Sequence, residues 1–239
     1  DMKKIMSRIL LGASLLAISA CTKIDNYPEP NASFEGRLID KTTGQNFLTS
    51  TNGMQIKLEQ ISWSDTPTPQ EIPSKIDGTF KDSRLFKGKY RVTPKGGAFW
   101  PTLTPLEINI DQGTKQDFEL TPYLVIKNFT HTLTDKRDLI LTFNIDAPIG
   151  AGMPTISDVQ PYVNTTKFVG SDASIKEYSS DLKVTVNKEW NDMSAADKSF
   201  TITVPALLSG RIFFVRVGAR VNDSYKSVNY SEIVEIKVP

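Results

Sequence analysis

"DLILTFNID", residues 138–146, decides how the rest of the chain is read. Leu139, Leu141, Phe143 and Ile145 recur at every second position, with Thr142 and Asn144 between them. Side chains of an extended backbone point alternately to opposite faces, so this pattern describes a strand with one face buried and one wet. The same reading extends outward in both directions. "MQIKLE" (54–59) sets Met54, Ile56 and Leu58 against Gln55, Lys57 and Glu59, and "LEINID" (106–111) sets Leu106, Ile108 and Ile110 against Glu107, Asn109 and Asp111. Further on come "DLKVTVN" (181–187; Leu182, Val184, Val186), "SFTITV" (199–204; Phe200, Ile202, Val204) and "EIVEIKV" (232–238; Val234, Ile236, Val238).

Turn-forming stretches punctuate these runs: "TTGQN" (42–46), "IDGT" (76–79), "FKGK" (86–89) and "APIGAGMP" (147–154). "SDTPTPQEIP" (64–73) reads as a long exposed loop between strands, and "NDMSAADKS" (191–199) as a single turn or short helix at most. Alternation this regular argues for antiparallel sheets, and the chain is all-β. Its 239 residues suit two β-domains of roughly 100 residues. The first run of strands closes at "LTPYLVI" (120–126), which predicts two tandem β-sandwich domains over 32–121 and 122–239.

The 28 basic and 27 acidic residues are scattered, which removes the electrostatic footprint of a nucleic-acid binder. Hydrophobic residues at 39% are enough to fill cores, so the chain as a whole is not disordered.

The first thirty residues obey a different logic. Lys3, Lys4 and Arg8 precede an apolar run from Ile9 to Ile18, the charged and hydrophobic regions of a secretory signal. At 1.5 Å per residue such a run is too short for a bilayer core of about 30 Å. "ISAC" (18–21) then resembles the bacterial lipobox, in which the cysteine thiol receives diacylglycerol and the peptide is cut before it. That resemblance implies a signal peptide over 1–20, lipidation of Cys21 and a membrane anchor of several acyl chains, whereas one chain alone holds only marginally. Cys21 is the sole cysteine, so no intramolecular disulfide is available. Residues 21–31, polar and broken by Pro28 and Pro30, form the tether.

Catalytic chemistry finds little to work with. His131 is the only histidine, and no Gly-x-Ser-x-Gly nucleophile signature accompanies it. One histidine and one cysteine cannot supply a clustered zinc site, and no phosphate-cradling motif occurs, so no catalytic residue, metal or cofactor is assigned. Paired carboxylates are too common among 27 acids to be a specific signal, and "DKTTGQN" (40–46) lacks EF-hand spacing. Three tryptophans remain as speculative ligand-binding residues: Trp63 before the Pro-rich loop, Trp100 in "GGAFWPTLTP" and Trp190 in "NKEWNDM". Each can stack on a sugar or a partner protein, or fold back to cap a sandwich. Trp100, flanked by Gly and Pro, is expected to be the most exposed of the three.

Two resemblances sharpen the architecture. "FEGRLIDKTTGQNF", "GMQIKLEQ" and "IDGTFKDSRLFKGKYRVTP" resemble the prealbumin-like carboxypeptidase regulatory domain. They do so through Gly36, the Asp40–Thr43–Gly44 turn, Asp77–Gly78–Phe80 and Gly88–Tyr90–Val92. "ALLSGRIFFVRVGARVNDSYKSVNYSEIVEI" (206–236) resembles the final strands of a fibronectin type III or Ig-like sandwich, with Phe213, Val215, Val217, Ala219 and Val221 on one face. Taken with the lipobox, "KIDNY" and "FELTPYL", nearly the whole mature chain resembles a Bacteroidetes lipoprotein family, domain of unknown function 3823. The resemblance implies an outer-membrane lipoprotein without catalytic residues, beside glycan uptake systems of the SusC/SusD type, binding glycan or those uptake proteins. Asp25 and Glu29 fit display on the cell surface, with the periplasmic face the alternative that Lys23 leaves open. A fimbrial or adhesin-type subunit is the rival expectation, opposed by Arg37 and Arg84 lying inside strands rather than in a cleavable linker. A carboxylate glycosidase is the third.

Overall fold

The computed structural model describes residues 28–102 and 104–239; the expected signal segment 1–20, Cys21 and most of the tether lie outside the described residues. Among the described residues sixteen strands are found. The first eight are β1 (Ala32–Asp40), β2 (Gln55–Glu59), β3 (Gln70–Pro73), β4 (Thr79–Leu85), β5 (Gly88–Lys95), β6 (Leu106–Ile110), β7 (Thr114–Lys115) and β8 (Phe118–Leu120). One sheet runs β4-β1-β7 with β8 also on β1, and the other runs β3-β2-β5-β6. The alternation in each sheet sends Phe34, Leu38 and Phe80 from one side, and Ile56, Leu58, Tyr90 and Val92 from the other, into a single core. Gly36 is required by crowding: a Cβ there would sit 1.8 Å from the Gln116 carbonyl oxygen.

The second eight are β9 (Val125–Leu133), β10 (Leu139–Asp146), β11 (Ile156–Asn164), β12 (Val184–Lys188), β13 (Ser199–Val204), β14 (Ile212–Val221), β15 (Val228–Tyr230) and β16 (Val234–Lys237). They form sheets β13-β10-β9 and β12-β11-β14-β15, with β16 also on β14. Leu139, Leu141, Phe143 and Ile145 of β10 pack with Phe213, Val215, Val217, Ala219 and Val221 of β14 in the second core. Each fully buried aliphatic or aromatic side chain contributes about 1.5–3 kcal/mol. A one-residue slip of either strand would turn its whole row to the outside, so burial fixes the register. The all-β, two-sandwich architecture follows the alternation.

Three details differ from the sequence reading. The Pro-rich stretch 64–73 is not loop throughout, because its last four residues form edge strand β3, where Ile72 is buried and Pro73 is tolerated for lack of a neighbour. Leu106 in β6 and Val184 in β12 alternate in sequence yet stay more than a third exposed, since both strands are sheet edges. The segment after β5 also crosses over: Ala98 and Trp100 pack on the second core, not the first.

That crossing is fixed by backbone and amide hydrogen bonds. Trp100 N donates to Thr121 O at 2.9 Å and Tyr123 N to Ala98 O at 3.0 Å. The buried Asn229 amide of β15 closes the junction, donating to Ala98 O at 2.8 Å and accepting from Leu124 N at 2.9 Å.

Candidate ligand-binding cleft

In "IFFVRVGARV" (β14) the odd-numbered positions fill the second core, so Phe214, Arg216, Gly218 and Arg220 take the other face of the sheet. Arg216 is only 1% exposed there. Its Nη1 donates to Thr49 O at 2.9 Å and Val169 O at 3.2 Å, its Nε donates to Ser231 O at 3.3 Å, and the guanidinium lies 3.9 Å from the Tyr230 ring centroid. Thr49 belongs to the first sandwich, so one side chain ties the two domains together. No ion pair to Arg216 is found among the described residues; three carbonyl dipoles and an aromatic face take the place of a carboxylate. Burial lowers the guanidinium pKa to about 10, which leaves it charged at neutral pH. The Tyr230 hydroxyl accepts from Ser171 N at 3.0 Å, and the domains approach so closely at Gly170 that a Cβ there would meet Ser50 Cβ at 2.7 Å.

Beside this staple lies a cleft of about 1170 Å³. The first sandwich contributes Gln45, Asn46, Asn52, Lys75, Asp77 and Lys81, and the second contributes Lys167, Phe168, Phe214, Glu232 and Glu235. The polar groups are held in place by the turns that carry them. Asp77 begins the "DGT" turn, where Gly78 takes φ 78°, and its carboxylate accepts from Thr79 N at 3.0 Å and Thr79 Oγ1 at 2.7 Å. The Thr79 hydroxyl holds the Asp77 pKa below the usual carboxylate range. Asn46 Nδ2 donates to Asp77 O at 2.9 Å, and Lys81 pairs with Glu35 at 2.8 Å. Phe168 is 53% exposed, with the Lys167 ammonium 6.0 Å from its ring centroid. Amides, carboxylates and ammonium groups around an exposed flat ring can bind a hydroxyl-rich ligand with apolar faces. His131 is exposed on β9 and does not line this cleft, and Asp77 is displaced in the direction opposite to a general acid. No group of three or more metal-ligating side chains occurs among the described residues.

The three tryptophans are not brought together, and none lines this cleft. Trp100 is not the most exposed of them, contrary to expectation. Trp63 is 68% exposed, whereas Trp100 packs on the second core with its ring 5.2 Å from Tyr123. The flanking Gly and Pro misled because the segment they free is the one that crosses to the other domain. Trp190 is half-buried in a one-turn helix at Trp190–Asp192, under the Lys198 ammonium at 3.9 Å from the ring centroid.

Family comparison agrees with this architecture. The chain matches the N-terminal domain of the DUF3823 proteins of unknown function over residues 32–121 and the DUF3823 C-terminal domain over 124–235. It belongs to the DUF3823 family. Solved structures with the same fold include a DUF3823 protein from Bacteroides uniformis. That protein is 24% identical, with a TM-score of 0.75 covering 88% of this chain and 100% of the other. A DUF3823 protein from Parabacteroides merdae is 22% identical, with a TM-score of 0.66 covering 88% and 100%. A second Bacteroides uniformis protein, named a "putative carbohydrate binding protein", is 21% identical, with a TM-score of 0.71 covering 87% and 100%. No curated protein matches the chain. Neither family description names an enzymatic activity.

The residues that build the DUF3823 cleft here were missed in sequence. One signal was present for Arg216: a charge at the centre of "FFVRVGARV" must find partners or be expelled. Phe168 and Asn229 carry no comparable signal, because loop position and cross-domain contact are not periodic.

Proposed function

We propose that this DUF3823 protein is a non-enzymatic binding protein, lipid-anchored through Cys21 to the outer membrane, that holds a glycan in the cleft between its two sandwiches. The observation that carries the reading is the pre-set cleft. Arg216 and Asn229 fix the two domains against each other, so the polar lining and the Phe168 ring are in position before any ligand arrives. Preorganisation of this kind lowers the ordering cost of binding. The name of the Bacteroides uniformis relative supports the same reading, and the family resemblance supports a place beside outer-membrane glycan uptake proteins. The three tryptophans give up the sugar-platform role in this reading to Phe168.

The test is a panel of neutral and uronate-bearing polysaccharides and oligosaccharides, applied to the wild-type chain and to Phe168→Ala. The expected result is saturable binding to at least one glycan, weakened tenfold or more by the substitution at unchanged melting temperature. Binding that ignores Phe168→Ala, or no binding to any glycan while uptake proteins co-purify, would remove the glycan role of the cleft.

A further inference from the structure

The cleft lies at one end of the first sandwich, and a second surface lies at the other. β2 and β5 are antiparallel, with Gln55 opposite Lys95 at the cleft end and Glu59 opposite Arg91 toward the far end. At that far end the loop after β2 is bonded onto the β4–β5 turn. Lys89 N donates to Ser62 Oγ at 3.0 Å, Ser62 N donates to Lys89 O at 3.2 Å, and Gln60 Nε2 donates to Lys87 O at 3.3 Å. The turn itself is held by Tyr90, whose hydroxyl donates to Phe86 O at 2.7 Å. This framework presents Trp63, the most exposed large hydrophobic side chain among the described residues, and Phe86, 39% exposed. Lys87 and Lys89 stand beside them, paired to Asp111 at 2.7 Å and Glu107 at 2.6 Å.

The chain enters the fold at this same tip. Ala32 pairs with Leu85, the residue before Phe86, and Ser33 N donates to Asp111 O at 3.1 Å. Cys21 precedes Ala32 by eleven positions. Eleven extended residues reach at most about 40 Å. A flexible chain of that length averages about 20 Å from end to end, short enough to keep the tip near the bilayer to which an acylated Cys21 would be fixed. Tethering at that range converts a weak contact into an intramolecular one. A tryptophan and a phenylalanine beside lysines are the side chains that settle at a bilayer's headgroup level, the rings in the interface and the ammonium groups in water.

We propose that the Trp63–Phe86 tip is a membrane-contacting surface that rests in the headgroup region of the bilayer carrying the anchor and directs the ligand cleft away from the lipid. This inference rests on the lipid-anchor reading, and the experiment separates the two. The full chain, expressed in a Gram-negative host so that any lipid on Cys21 is added by the cell, is reconstituted in phosphatidylethanolamine–phosphatidylglycerol vesicles, with and without acyl-chain bromination. Flotation reports the anchor, and bromine quenching of tryptophan fluorescence reports the tip. The expected result is flotation of both wild type and Trp63→Phe, with quenching in the wild type that is mostly lost in Trp63→Phe and reduced in Phe86→Ala. Flotation with equal quenching in wild type and Trp63→Phe overturns the tip contact and leaves the anchor standing. Failure to float overturns the anchor and, with it, the tip contact.

Discussion

At the inner end of the first sandwich Thr49 and Ser50 are 4% exposed and the Thr49 carbonyl accepts from Arg216 across the domain boundary; at the outer end Trp63 is 68% exposed. The two ends belong to one β-sandwich with one core, so hydrophobicity alone does not separate them. What separates them is where the partners come from. The inner end is completed by Arg216 and Asn229, side chains more than a hundred residues away in sequence. The outer end is built from local turns and shows its apolar rings to whatever lies beyond the protein. An end completed from within can serve as a fixed frame for a cleft, and an end that carries exposed rings can serve as a contact surface.

The comparison can be broken most forcefully at Arg216. Arg216→Ala strands the carbonyls of Thr49, Val169 and Ser231 and removes the stacking on Tyr230. It is expected to lower stability by about 3–4 kcal/mol in chemical denaturation, since each unsatisfied buried group costs about 1–3 kcal/mol. Asn229→Ala removes two buried hydrogen bonds at the junction and should lower stability by about 2 kcal/mol in the same assay. If either change leaves the midpoint untouched, the inner end is not held as described. Phe86→Ala sharpens the contrast from the other side: its partly exposed ring should cost less than either change at the inner end, about 1 kcal/mol or below in the same assay.

The smallest expected effect is a pH dependence at the cleft rim. The Thr79 hydroxyl lowers the Asp77 pKa below its ordinary 3.8, so folding favours the ionised carboxylate. That contribution is present in full above the unfolded value and is lost as pH falls through 3.8 toward the lower folded value. Asp77→Asn should therefore lower stability slightly near neutrality and flatten the acid limb of the stability curve below pH 4, where the two chains converge.

The fold was legible because its cores are periodic. Leu139 to Ile145 and Phe213 to Val221 alternate without interruption, and burial then leaves one register. The glycine of "FEGR" was legible as well, and its reason is the Gln116 carbonyl pressed against β1. Edge strands were less so: β3 was hidden by its prolines, and Val184 gave a buried pattern to a strand with a neighbour on one side only. The cleft was the least legible. Its lining comes from turns and loops of both halves, joined only after folding, and the exposed ring at its rim is Phe168 rather than any of the tryptophans.

Hydrogen–deuterium exchange of the full chain, with and without the glycan that binds it best, tests the central claim most directly. The account predicts ligand-dependent protection at 45–52, 74–81, 167–169 and 231–235, with the tip around 60–64 and 86–89 unchanged. Protection at the tip or around Trp190 with none in the cleft, or no protection with any glycan, would contradict it.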